Sequence, residues 1–126
     1  MQLSVVTPEG SFFDGEVTSV TAPAWDGSMG VLNGHAPLVT ELGSGLLVAQ
    51  GDKEERIILS GGYLQVLNNK VTVLATYACH STDVDADQAQ KDLDEALAMH
   101  SKTEADTKAK MEAIARAKAL IEHGNK

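Results

Sequence analysis

The chain has 126 residues, 43% of them apolar, and a formal net charge of −8. That length suits one domain, or one domain with an appendage, and the acidic balance argues against a general nucleic-acid binder, which needs a basic face for phosphate. No apolar run approaches the roughly 18 residues a membrane span requires, so direct membrane insertion is not expected.

The opening Met1-Gln2-Leu3-Ser4 has no basic region and leads straight into a strand pattern, unlike a signal or transit segment. Leu3-Ser4-Val5-Val6-Thr7 reads as a strand ending at Pro8. Glu16-Val17-Thr18-Ser19-Val20-Thr21 alternates and is expected to end before Pro23. Leu46-Leu47-Val48-Ala49 and Arg56-Ile57-Ile58-Leu59 flank Gly51-Asp52, a hairpin signal. Tyr63-Leu64-Gln65-Val66-Leu67 and Val71-Thr72-Val73-Leu74-Ala75 flank Asn68-Asn69-Lys70, and asparagine tolerates the positive φ of a tight primed turn. Gly61-Gly62 between two strand patterns predicts a bulge or sharp bend. Many short strands with close turns predict an all-β antiparallel sandwich over residues 1–82. No helical period interrupts them, which argues against a parallel α/β sheet.

Near residue 83 the period changes. Ala86, Ala89, Leu93, Ala96, Leu97 and His100 recur at helical spacing, after Asp83 and Asp85, which suit a helix start. Ser101-Lys102-Thr103-Glu104 has the form of a capping box opening a second helix. That helix carries Ala105, Ala109, Ala113, Ala117 and Ile121 at a spacing of four, widened by Ile114 and Leu120, and stops at Gly124. The short connection predicts an antiparallel α-helical hairpin over residues 83–126. Its stripe is mostly alanine, and a methyl contributes about 0.8 kcal/mol at best. Ordering each residue costs on the order of 1.5 kcal/mol. The hairpin is therefore expected to be marginal unless it lies against something, and to be movable.

Charge is unevenly spread. Residues 83–107 hold eight acids and two bases; residues 108–126 hold five bases, Lys108, Lys110, Arg116, Lys118 and Lys126, and two acids. A basic tail on an acidic chain predicts self-docking or an acidic partner.

Catalytic chemistry is not visible. His35, His80, His100 and His123 lack the spacing of a metal site. His35 has no nucleophile or orienting group in evidence and reads as structural or interfacial. Gly27, Gly30 and Gly34 lack the lysine and the strand-to-helix setting of a phosphate loop. Asp83, Asp85 and Asp87 lack the glycine and glutamate of a calcium loop. Cys79, the single cysteine, allows no internal disulfide, fits a reducing compartment and reads as a small buried apolar residue. No catalytic, cofactor or metal residue is assigned.

Three motifs carry a resemblance. Thr7-Pro8-Glu9-Gly10 with Phe12-Phe13-Asp14-Gly15-Glu16-Val17 is the first. Asp26-Gly27-Ser28-Met29-Gly30-Val31-Leu32-Asn33-Gly34-His35-Ala36-Pro37-Leu38 is the second. Ser60-Gly61-Gly62-Tyr63-Leu64-Gln65-Val66 followed by Asn69-Lys70-Val71-Thr72-Val73-Leu74-Ala75 is the third. Together they resemble the epsilon subunit of F-type ATP synthases. The resemblance implies a non-catalytic rotor subunit whose sandwich packs on the gamma subunit. It implies a loop facing the c-ring at Asp26, Gly27, Ser28, Met29, Gly30, Val31 and Leu32, with His35 close by. It implies helices with two postures: folded on the sandwich, or extended along gamma into the alpha/beta catalytic head, where they oppose ATP hydrolysis. Lys108, Lys110, Arg116 and Lys118 are the residues expected to engage that head.

Two departures stand out. The family often has proline where this chain has Asn33, which predicts a less rigid loop. Some members bind ATP through an apolar-Asp-x-x-Arg-Ala motif, and the matching stretch here is Val84-Asp85-Ala86-Asp87-Gln88-Ala89. Gln88 replaces the arginine and removes the fork that suits phosphate, so weak or absent ATP binding is expected. With no transit-like segment, the expected location is the cytoplasmic face of a bacterial plasma membrane, as a peripheral protein. The competing reading is a free-standing β-sandwich module binding a ligand or a protein. It needs a pocket lined by aromatics, and Trp25, Phe12, Phe13, Tyr63 and Tyr77 are few and scattered.

Overall fold

The computed structural model describes residues 1–24 and 27–124. Eight strands come first: β1 (Gln2–Thr7), β2 (Gly10–Glu16), β3 (Ser19–Ala24), β4 (Gly27–Leu32), β5 (Leu38–Glu41), β6 (Gly45–Gln50), β7 (Glu54–Leu67) and β8 (Lys70–His80). A single 3-10 turn (Ser81–Asp83) leads to two helices, α1 (Ala86–Ala98) and α2 (Glu104–His123).

The strands hydrogen-bond in the order β2-β1-β8-β7-β6-β3-β4, with β5 also on β7. β7 is long and changes partners along its length. Residues 54–59 pair with β6, and residues 63–66 pair with β5. The bend between them is Gly61-Gly62, with φ of +69° and +108°. A Cβ on Gly62 would lie 1.8 Å from the Leu74 carbonyl oxygen, so only glycine lets β7 and β8 approach here. The ladder thereby folds into two layers. Sheet one is β2, β1, the first half of β8, the second half of β7, and β5. Sheet two is β4, β3, β6, the first half of β7 and the second half of β8. Leu3, Val5, Leu64, Val66, Val71 and Val73 from sheet one meet Val20, Ala22, Val31, Leu47, Ala49, Ile57 and Leu59 from sheet two in one aliphatic core.

The antiparallel sandwich expected from the sequence is present, with one pairing of the other sense: β1 runs parallel to β8. The β7–β8 turn is two residues, Asn68 (φ 51°) and Asn69 (φ 60°), both left-handed, as a primed hairpin turn requires. The expectation that Pro23 ends its strand does not hold. β3 runs through it, because β6 pairs only with residues 19–21 of β3. Beyond that point the missing N–H breaks no ladder bond on that side, and the Pro23 carbonyl accepts from Gly43 N–H instead.

Asp85 caps α1, accepting from Gln88 N–H at 3.1 Å. The cap of α2 is Thr103, which accepts from Asp106 N–H at 3.1 Å. The helix therefore starts two residues later than the capping box placed it, and the Ser101 hydroxyl bonds Thr107 instead. The helices lie on the outer face of sheet two. Leu46, Ile58 and Cys79 form one cross-strand row there, covered by Ala89, Ala119 and Leu120. Of the predicted α2 stripe only Ala117 and Leu120 are buried, while Ala105, Ala109 and Ile121 are exposed.

Candidate functional site

The two outer faces of the sandwich differ. That of sheet two is covered by the hairpin. That of sheet one is uncovered by any helix among the described residues and is partly apolar. Val6, Leu74 and Tyr63 are aligned across β1, β8 and β7, with Val39 on β5 one row on. Leu74 is 53% exposed, Tyr63 56% and Val39 67%. Period-2 alternation places them there, since Leu64, Val66, Val71 and Val73 occupy the inward positions. These side chains leave an apolar group exposed on that sheet face.

The segment expected to face the c-ring is mostly an edge strand. Gly27, Ser28, Met29, Gly30, Val31 and Leu32 form β4, paired on one side to β3. Asp26, expected at the same contact, lies outside the described residues, as does Trp25. Val31 is the exception within the strand. It is fully buried in the sandwich core, because alternation along β4 turns it inward, so it has no surface to give a partner. Leu32 is 66% exposed. His35 follows in the loop, where its Nδ1–H donates to the Ala36 carbonyl at 2.7 Å.

Asn33, where the family often has proline, is held by side-chain hydrogen bonds. Asn33 Oδ1 accepts from the Met1 ammonium at 2.9 Å, and Asn69 Oδ1 accepts from Gly34 N–H at 3.0 Å. The β7–β8 turn and the chain start thus tie the loop down through side chains where a proline would act through its ring.

The basic residues of α2 divide. Lys108 and Lys118 are exposed and Lys110 is half-buried. Arg116 is directed at the sandwich, its guanidinium 4.8 Å from the centroid of the Tyr77 ring. Burial, followed by the neighbouring Cys79, pushes the Tyr77 phenol up to about 12, while Arg116 acts in the opposite direction by favouring phenolate. Among the described residues no ion pair joins a carboxylate of α1 to a base of α2.

At the start of α1, Asp85 is occupied as the helix cap. Gln88 donates through Nε2 to Asp92 at 2.9 Å. The adjoining pocket of about 180 Å³ is lined by Asp83, Asp85, Gln88 and Asp92 beside Tyr77. Three carboxylates and no basic side chain make it a poor phosphate site. A larger cleft of about 550 Å³ opens where the first half of α2 stands away from the Gly61-Gly62 bend, between Glu41, Thr76, Lys108 and Glu112. Among the described residues no group of three or more histidine, cysteine or carboxylate side chains is placed to hold a metal. No helix among them is long and apolar enough to cross a membrane.

The sequence model of the ATP synthase delta/epsilon chain β-sandwich domain matches residues 1–81. The ATP synthase epsilon chain of Carboxydothermus hydrogenoformans is 44% identical over 98 residues, 76% of this chain and 72% of that one. The chloroplastic epsilon chain of Pyropia yezoensis is 32% identical over 126 residues, 97% of this chain and 93% of that one. A chain in the cryo-EM structure of the Euglena gracilis mitochondrial ATP synthase (OSCP/F1/c-ring, rotational state 1) superposes with a TM-score of 0.78 at 27% identity. It covers 94% of this chain and 77% of that one. A chain in the Tetrahymena thermophila mitochondrial ATP synthase central stalk/c-ring shares the fold, with a TM-score of 0.74 at 20% identity over 97% and 94% of the two chains. The sandwich, the hairpin laid on it and these likenesses agree, and the chain belongs to the ATP synthase epsilon-chain family.

Proposed function

We propose that this chain is a non-catalytic rotor subunit of the central stalk, holding the gamma shaft with one surface and the c-ring with another. The observation that carries the reading is the asymmetry of the sandwich. One outer face is occupied by the chain's own hairpin, and the other offers Tyr63, Leu74 and Val39 to a partner. Burying these half-exposed side chains favours docking at roughly 25 cal/mol per Å² of apolar surface removed from water, and the rest of the contact must offset the cost of association. Gamma docks on this face. The ring's polar loops meet the rim at Gly27, Ser28, Met29, Gly30, Leu32 and His35. The epsilon-chain relatives do not favour the alternative of a free-standing binding module.

The hairpin modulates ATP hydrolysis by changing posture. In the folded posture it is held by a small contact of Ile58 with Ala89, Ala119 and Leu120 together with Arg116 on Tyr77. Extended, it presents Lys108, Lys110, Lys118 and the released Arg116 to acidic groups of the alpha/beta head. ATP is bound weakly or not at all. The complex is membrane-associated and this chain is peripheral to it. Bacterial relatives at 35–44% identity support the cytoplasmic face of a bacterial plasma membrane.

The test is the double variant Tyr63→Thr/Leu74→Thr. It should lose co-purification with gamma while its melting temperature stays near that of the wild type, since both side chains are about half exposed and threonine keeps the strand propensity of this cross-strand pair. Retained co-purification would remove the docking face from the proposal.

A further inference from the structure

We infer that Asn33-Gly34 is a latent deamidation site, and that the side-chain amide of Asn69 holds the reaction off in the folded chain. Asn33 is the only asparagine in the sequence followed by glycine. Glycine has no Cβ to crowd its own nitrogen, so that nitrogen can reach the Cγ of the preceding asparagine. Both residues are exposed, and water has access to them.

The reaction needs no group beyond water. Gly34 N loses its proton to hydroxide and attacks Asn33 Cγ. The new N–Cγ bond closes a five-membered imide, the Cγ–Nδ2 bond breaks, and ammonia leaves. Water then opens the ring at one of its two carbonyls. One opening restores the main chain with aspartate at position 33. The other routes the main chain through the former side chain, giving isoaspartate with an extra methylene in the backbone.

The clasp at this loop opposes the first step in two ways. Gly34 N–H is donated to Asn69 Oδ1 at 3.0 Å, and an N–H engaged in a hydrogen bond is harder to deprotonate. The Asn33 amide is also kept from turning toward that nitrogen. Its Oδ1 accepts from the Met1 ammonium at 2.9 Å and from Asn69 Nδ2 at 3.5 Å. Asn69, at φ 60° in the β7–β8 turn, reaches both reacting partners with its side chain. Conversion adds a negative charge to the rim next to Leu32 and His35, and isoaspartate alters the path of the loop itself. The inference stands on the amide geometry and is independent of what the rim contacts.

The experiment incubates the full chain in mildly alkaline buffer, well below its melting temperature, and measures aspartate and isoaspartate at position 33 by peptide mass spectrometry. Asn69→Gly removes the amide while keeping a residue that accepts positive φ without strain. It should deamidate roughly fivefold faster than the wild type, the factor that one hydrogen bond of ordinary net strength makes in an opening equilibrium. Asn69→Asp keeps an acceptor for Gly34 N–H but loses the Nδ2 donor to Asn33, and should fall between the wild type and Asn69→Gly. Asn68→Gly alters the same turn without touching either reacting residue and should also stay near it. Equal rates in Asn69→Gly and wild type would overturn the inference. So would equal acceleration in Asn69→Gly and Asn68→Gly, which would trace the effect to a loosened turn.

Discussion

The guanidinium of Arg116 lies over the ring of Tyr77, 4.8 Å from its centroid, and this contact joins the C-terminal half of α2 to the outer face of sheet two. It sits beside a small apolar seam in which Ile58, with Leu46, Cys79 and Val84 around it, meets two alanines and Leu120. Such a seam stabilises the folded posture only modestly, so one cation–π contact, about 0.5–2 kcal/mol, is a large share of the total. Arg116→Ala should therefore loosen the hairpin before it affects the sandwich. Hydrogen exchange would show faster exchange over residues 86–123 and unchanged protection in β1, β7 and β8. Unchanged protection in the helices would remove Arg116 from the contact's energetics. Arg116→Lys keeps a cation but loses the planar stack, and should fall between the two.

Tyr77 reports the same posture through its ionisation. The phenol is pushed up to about 12, mainly by burial. A group that stays neutral in the folded state and ionises near its ordinary value when released makes folding less favourable as pH rises. The stabilisation is fully present below about pH 10, the ordinary tyrosine value, and is lost as pH climbs toward 12. Absorbance titration should show a late phenolate component that Tyr77→Phe abolishes. Leu120→Asp puts a carboxylate against Ile58 and should release the hairpin, moving that component toward lower pH. A late component that persists in Tyr77→Phe would assign it elsewhere.

Two glycines on the chain make a matched pair for backbone strain. Gly62 has φ +108°, and an added Cβ would overlap the Leu74 carbonyl. Gly34 has φ +78° with open space around its Cβ position. Gly34→Ala should cost only the left-handed penalty, about 1–2 kcal/mol. Gly62→Ala adds a main-chain clash to the same strain and should cost about 3 kcal/mol or more. Thermal melts would order the two. Equal losses would show that β7 and β8 can separate at the bend without penalty.

Much of this architecture was legible because local chemistry and global fold agree. Asn68-Asn69 marked the hairpin turn, Gly61-Gly62 marked the bend, and the switch from period 2 to helical spacing near residue 83 marked the start of the hairpin. The Arg116 contact was not legible from charge counting, since a basic stretch reads the same whether it faces solvent or a tyrosine. A signal was nevertheless there. Ile57-Ile58-Leu59 are three consecutive apolar residues in a strand, which marks a sheet buried on both faces, and all three are buried. That run locates the hairpin's seat, and Tyr77 lies beside it on the neighbouring strand. Val31 was misassigned for the opposite reason. A family motif names a stretch, whereas alternation along β4 decides which of its residues face out.

The last prediction concerns nucleotide. Asp85 is already committed to Gln88 N–H as the cap of α1, and Gln88 is committed to Asp92. A phosphate entering there would meet Asp83, Asp85 and Asp92 without a guanidinium fork to neutralise it. Arg116 is nearby but stacked on Tyr77, and recruiting it would break the hairpin's own contact. Calorimetry on the full chain should show no ATP binding at micromolar concentrations. Gln88→Arg should introduce weak binding by supplying the missing fork, and its affinity should rise further in the double variant with Asp87→Ala, which removes an adjacent like charge. Micromolar affinity in the wild type would show that the carboxylates of this pocket are neutralised by a cation or rearranged by the nucleotide.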